Sequence, residues 1–134
     1  MQTDLDDGLD WLIAQGITDS KRACIMGGSY GGYAALVAAF QSADRYQCAV
    51  AFAPVTDINE LIRDQRNFVL SKSSINRLKD RDNQAEVSPI EQAEHFAIPL
   101  LIVHGDVDRT VRIEQSRTLL SLIHISEPTR HRLI

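Results

Sequence analysis

The chain has 134 residues, 44% hydrophobic and 24% charged, with a formal net charge of -4, which is about one domain of ordinary globular composition. No basic run or stripe marks a nucleic-acid surface. No apolar stretch approaches the length of a membrane span, and no charged-then-apolar start suggests a signal peptide.

Thr3-Asp4 can cap a first helix, in which Leu5, Leu9, Leu12 and Ile13 form one apolar face at i, i+4, i+7 and i+8. Gly16 is its stop. Ala23 to Met26 is short, apolar and bounded by turn residues, as a buried strand is. After the glycine-rich stretch 27–33 a helix is expected near 32–41, with Leu36, Ala39 and Phe40 inward. Cys48 to Ala53 reads as a second buried strand, ended by Pro54. From Thr56 to Ser88 the chain is polar, with helical patches and no clear strand. Ser88-Pro89 predicts a helix start, with Ser88 as cap and Pro89 in the first turn. Pro99 to Val103 is a third buried strand, closed by His104-Gly105, and another helix begins near Arg112. Continuously apolar strands separated by helices predict an α/β fold, its parallel sheet covered on both faces. Cys24 and Cys48 lie in separate apolar runs and read as two buried free thiols, which points to the cytoplasm.

The end of the chain breaks this pattern. Leu120 to Arg130, "LSLIHISEPTR", fits no helix that the preceding segment builds. It resembles the forward translation of a transposon-end sequencing adapter. The expected domain is therefore 1–119, with 120–134 set aside as a cloning or assembly artefact.

Gly27-Gly28-Ser29-Tyr30-Gly31 has the form Gly-x-Ser-x-Gly, with a strand before it and a helix after it. Glycines two before and two after the serine, Gly27 and Gly31, let strand and helix pack around a tight turn that exposes the hydroxyl. The Tyr30 amide can then face a developing oxyanion. Serine needs a base, normally a histidine oriented by a carboxylate, in the chain order Ser, acid, His. Asp108 fits the acid, in the loop after the third strand, where sites of such sheets form. Asp106 is its competitor, and the Gly105-x-x-Asp108 spacing favours Asp108. No histidine fits the base. His95 precedes the acid, His104 reads as structural, and His124 and His131 fall in the set-aside tail.

Together these residues resemble the catalytic domain of the prolyl oligopeptidase family of serine peptidases, in its dipeptidyl- and acylaminoacyl-peptidase-like branch. The resemblance rests on Gly-Gly-Ser-Tyr-Gly-Gly-Tyr at 27–33, Asp-Asp-Gly-Leu-Asp-Trp-Leu at 6–12 and Pro-Leu-Leu-Ile-Val-His-Gly-Asp-Val-Asp at 99–108. It implies an α/β-hydrolase fold with a partial parallel sheet flanked by helices. It also implies Ser29 as nucleophile, Asp108 as triad acid, no metal or cofactor, and a short peptide substrate cleaved near its amino terminus. Residues 56–88 would wall the site, with Asn67 and Phe68 as possible pocket residues. Earlier strands, an upstream oxyanion donor and the catalytic histidine are absent from the pattern, so the chain reads as an inactive piece of an enzyme. The rivals are an esterase or lipase on the same fold and a non-catalytic binding relative.

Overall fold

In a computed structural model of the chain, residues 2–65 and 88–126 are described. Helix α1 (Gln2–Ala14) leads to strand β1 (Cys24–Gly28), helix α2 (Tyr30–Gln41), strand β2 (Cys48–Phe52) and helix α3 (Ile58–Gln65). A 3₁₀ segment (Pro89–His95) precedes strand β3 (Leu100–Val103), and helix α4 (Ile113–Ser126) follows it. The expected pocket residues Asn67 and Phe68, and His131, lie outside the described residues.

The three strands form one parallel sheet in the order β1-β2-β3. Its register ends in the row Gly28–Phe52–Val103. All three carboxyl ends therefore open on one edge, and the loops that follow them are neighbours.

Helix α2 explains why the sheet is organised around it. Its sequence Tyr-Gly-Gly-Tyr-Ala-Ala-Leu-Val-Ala-Ala-Phe-Gln is apolar on every side, and residues Gly32 to Ala39 are all buried. Such a helix belongs in a core rather than on a surface. Four alanines let neighbouring backbones approach, while Leu36 packs with Ala49, Ala51, Phe96 and Leu119 over β2. On another side Tyr33 and Val37 meet Val55, Ile58, Ile62 and Val111. Helix α1 joins through Leu9, against Ala38 and Tyr46. Arg45 reinforces that contact by bonding the Asp6 carbonyl and the Asp10 carboxylate.

The structure corrects four expectations. First, the sheet is covered on one face only among the described residues. Ala49 and Ala51 are buried beneath the helices, whereas Met26 on the opposite face is 71% exposed and Leu101 is 57% exposed. Continuous apolarity identifies a strand built for cover on both sides, but the cover for one side is not supplied by these residues.

Second, the cysteines are paired: Cys24 and Cys48 form a disulfide. They are register partners at the starts of β1 and β2, with Cα atoms 4.7 Å apart. Cytoplasmic placement thus loses the free thiols on which it rested. The pair is separated by 24 residues, and chain entropy for a loop of that size gives about 3 kcal/mol of stabilisation. Reduction should lower the urea midpoint correspondingly, and alkylation after reduction should tag both thiols.

Third, Ser88 does not cap the 3₁₀ segment with its side chain. Its buried hydroxyl instead accepts from the Ile58 amide, tying the segment to α3.

Fourth, Leu120 to Ser126 do fit the helix that precedes them. Helix α4 continues to Ser126, with Leu119 and Ile123 one turn apart and both buried. Apolar spacing drives helix formation whatever the origin of the residues.

Candidate active site

Ser29 occupies the one-residue junction between β1 and α2. Its backbone adopts φ 53° and ψ -115°, a left-handed conformation costly for a residue with a Cβ. Two backbone bonds hold it there: its amide donates to the Phe52 carbonyl at 2.8 Å, and its carbonyl accepts from the Tyr33 amide at 3.1 Å. The first bond extends the sheet by one step, and the second starts the helix. The side chain is exposed at the carboxyl edge and does not cap α2. Tyr30 opens α2, its ring 5.4 Å from that of Tyr33.

The surrounding glycines divide their work differently from the sequence expectation. A Cβ on Gly27 would lie 2.2 Å from the Gly31 carbonyl oxygen, so Gly27 is what lets α2 close on β1. A Cβ on Gly31 would meet nothing within 4 Å, so the packing role expected of Gly31's own missing side chain is not seen. Gly32 is the tight position instead, where a Cβ would lie 3.0 Å from both the Phe52 carbonyl oxygen and Pro54 Cβ. Sequence reading missed it because the contact is to the exit of β2, not to the elbow.

Asp108 sits in the loop after β3. Its Oδ1 accepts from the Thr110 amide at 2.8 Å and the Val111 amide at 3.0 Å. These two bonds stabilise the carboxylate and hold its pKa below the usual range, against a smaller opposing effect of burial. Oδ2 lies 3.9 Å from His104 Nε2, beyond hydrogen-bonding distance. Asp106 is exposed, and the loop's bonds close on Asp108.

Ser29 follows β1 and Asp108 follows β3, with β2 between them. Two strand spacings make about 10 Å, too far for direct hydrogen bonding and suited to an intervening imidazole. No described histidine fills that place. His95 precedes β3 and lies at the opposite edge of the sheet. His124 is in the last turn of α4, a helix that begins near the site and packs its far end on the 3₁₀ segment. His104 is close to Asp108 but buried, with both ring nitrogens engaged by Val111 and Ser116.

The first turn of α4 braces the edge. Buried Gln115 accepts through Oε1 from the Thr56 and Asp57 amides at 2.7 and 3.1 Å, and the Thr56 hydroxyl donates to its carbonyl. This ties the exit of β2 to the acid loop. Gln115→Leu would strand two amides, at about 1–3 kcal/mol each. The expected result is a clear drop in the urea midpoint, larger than for Glu114→Leu on the same helix.

A strained serine between strand and helix, and a carboxylate-bearing loop two strands away on the same edge, are arranged as in the α/β-hydrolase fold. The sequence model of the prolyl oligopeptidase family matches residues 2–130, and the chain belongs to that family. It is 32% identical over 124 residues to dipeptidyl aminopeptidase BIII of Pseudoxanthomonas mexicana, covering 87% of this chain and 18% of that protein. It is 26% identical over 121 residues to the acylamino-acid-releasing enzyme of Rattus norvegicus, covering 84% and 16%. Among solved structures it resembles the acylaminoacyl peptidase of Pyrococcus horikoshii, with a TM-score of 0.73 at 20% identity over 87% of this chain and 19% of the other. The chain thus spans less than a fifth of the length of these relatives.

Proposed function

We propose that the full-length protein containing this chain is a serine peptidase that releases small fragments from peptides through an acyl-enzyme on Ser29. The observation that carries this is the left-handed backbone of Ser29 at the strand–helix junction, on the edge that also bears Asp108. Ser29 Oγ attacks the scissile carbonyl carbon as a histidine from outside the described residues takes its proton. Asp108 Oδ2 accepts the other N–H of that imidazole and fixes its tautomer. The Tyr30 amide and a donor from elsewhere in the protein stabilise the oxyanion. Collapse breaks the C–N bond, and the imidazolium protonates the leaving amine. Water, deprotonated by the same imidazole, then releases the acid and restores Ser29. The substrate class rests on relatives named dipeptidyl aminopeptidase and acylamino-acid-releasing enzyme. We further propose that the natural domain sequence runs to Leu119 here, which sequencing the source DNA across that codon tests.

A fluorophosphonate probe tests the chemistry. The full-length protein should form one adduct, located at Ser29 by peptide mass spectrometry, while the 134-residue chain should label far more slowly. An adduct elsewhere would overturn the assignment. Faster turnover of nitrophenyl esters than of dipeptide nitroanilides would favour an esterase.

A further inference from the structure

The acyl-transfer scheme leaves a buried histidine among the described residues without a task. His104, the residue after β3, has a side chain only 3% exposed. Its Nε2 lies 2.8 Å from the Val111 carbonyl oxygen, and its Nδ1 lies 2.7 Å from Ser116 Oγ. A carbonyl can only accept, so Nε2 carries a proton. In the neutral ring Nδ1 is then the acceptor, and the Ser116 hydroxyl donates to it. With both nitrogens satisfied inside the protein, the ring is not placed to serve Ser29 as a base.

Its position points to a different role. Val111 gives its carbonyl to His104 and its amide to Asp108 Oδ1. The two peptide units share one α-carbon, and the Val111 side chain is buried against Tyr33 and Ile58. Asp108 Oδ2 lies 3.9 Å from His104 Nε2, beyond hydrogen-bonding distance, so the ring does not hold the carboxylate directly.

We propose that His104 is a positioning residue for Asp108, acting through Val111. The ring spans from the end of β3 to Val111 and to the first turn of α4, closing the acid loop at both ends. Without the Nε2–H donor, the Val111 carbonyl loses its partner, residue 111 can rotate, and one of the two amides orienting Asp108 moves. The inference rests on the acyl-transfer reading above. A misplacement of about 1 Å in such a group costs on the order of 100-fold in rate.

Three replacements in the full-length enzyme test it. His104→Gln keeps an N–H donor near the Nε2 position. His104→Asn reaches the Ser116 side only, and His104→Leu removes both bonds. For a dipeptide nitroanilide, Asn and Leu should lower kcat roughly 100-fold with KM changed by less than about twofold, while Gln should recover most of kcat. The limiting fluorophosphonate labelling rate at Ser29 should follow the same order. If Leu fails to fold, the Gln–Asn pair carries the comparison, since both are polar and smaller than imidazole. Equal kcat for folded Gln and Asn variants, or wild-type kcat for either Asn or Leu, would overturn the proposal. A wild-type enzyme that neither labels at Ser29 nor cleaves the nitroanilide would remove the peptidase reading itself, and the positioning role with it.

Discussion

Asp108→Asn should lower kcat by about four orders of magnitude in the full-length enzyme while leaving the fold intact. The reason lies in how the loop uses the two oxygens. A carboxamide oxygen can still accept from the Thr110 and Val111 amides, as Oδ1 does now. That leaves an NH₂ group where Oδ2 faces the incoming imidazole. The imidazole must then accept from residue 108, so its proton sits on the nitrogen needed by Ser29, and it cannot take the serine proton. KM should barely change, because substrate binding does not depend on the charge of residue 108, whereas the urea midpoint should fall modestly, because the two amides bond a neutral carboxamide oxygen less strongly than a carboxylate. Asp106→Asn is the matched control, and a loss there in place of Asp108 would reverse the assignment. The lowered pKa of Asp108 adds a pH signature. A depressed folded pKa contributes stability above the ordinary carboxylate range, and this is lost as pH falls through the lowered value. The carboxylate should therefore keep its charge in acid that neutralises exposed aspartates, which carboxyl-carbon NMR can follow.

Gly27→Ala should be the most damaging glycine-to-alanine change among the described glycines. The new Cβ would sit 2.2 Å from the Gly31 carbonyl oxygen and 2.3 Å from its carbonyl carbon. Both are backbone atoms of α2, so no side chain can swing away. Relief requires lifting the helix from β1, which would disturb the Ser29–Phe52 bond and the packing around Leu36. Overpacking a core commonly costs about 1–3 kcal/mol, and a backbone collision should exceed that range. Chemical denaturation should show a lower midpoint, and fluorophosphonate labelling of any folded fraction should fall as well. Gly31→Ala is the informative partner, because open space surrounds its Cβ position. A loss as large as that of Gly27→Ala would mean that the elbow is tighter at 31 than the geometry shows.

Much of the architecture was legible in the sequence because it is local. The apolar runs at 23–26, 48–53 and 99–103 became β1, β2 and β3, with ends shifted by one or two residues. The spacing of Leu9, Leu12 and Ile13 gave α1, and the glycine cluster located the strand–helix junction at Ser29. These features depend on periodicity and on backbone conformations that few residues tolerate, and both are written in neighbouring residues. The positive φ of Ala53 carries no such mark. Nothing in the Cys48–Pro54 run announces it, since it arises where β2 turns over the start of α2.

What the residues determined by themselves was therefore the kind of elements, the strand–helix turn at Ser29 and the loop after β3. The tertiary structure alone decided which residues meet. Pairing of Cys24 with Cys48 depends on the parallel register, which no spacing along the chain reveals. The tight contact of Gly32 belongs to the exit of a different strand. The chain from His104 through Val111 to Asp108, and the bracing of Thr56 and Asp57 by Gln115, join segments that touch only once the sheet has formed. Hydrogen bonds act over about 3 Å, whereas sequence distance says nothing about which atoms the fold brings that close.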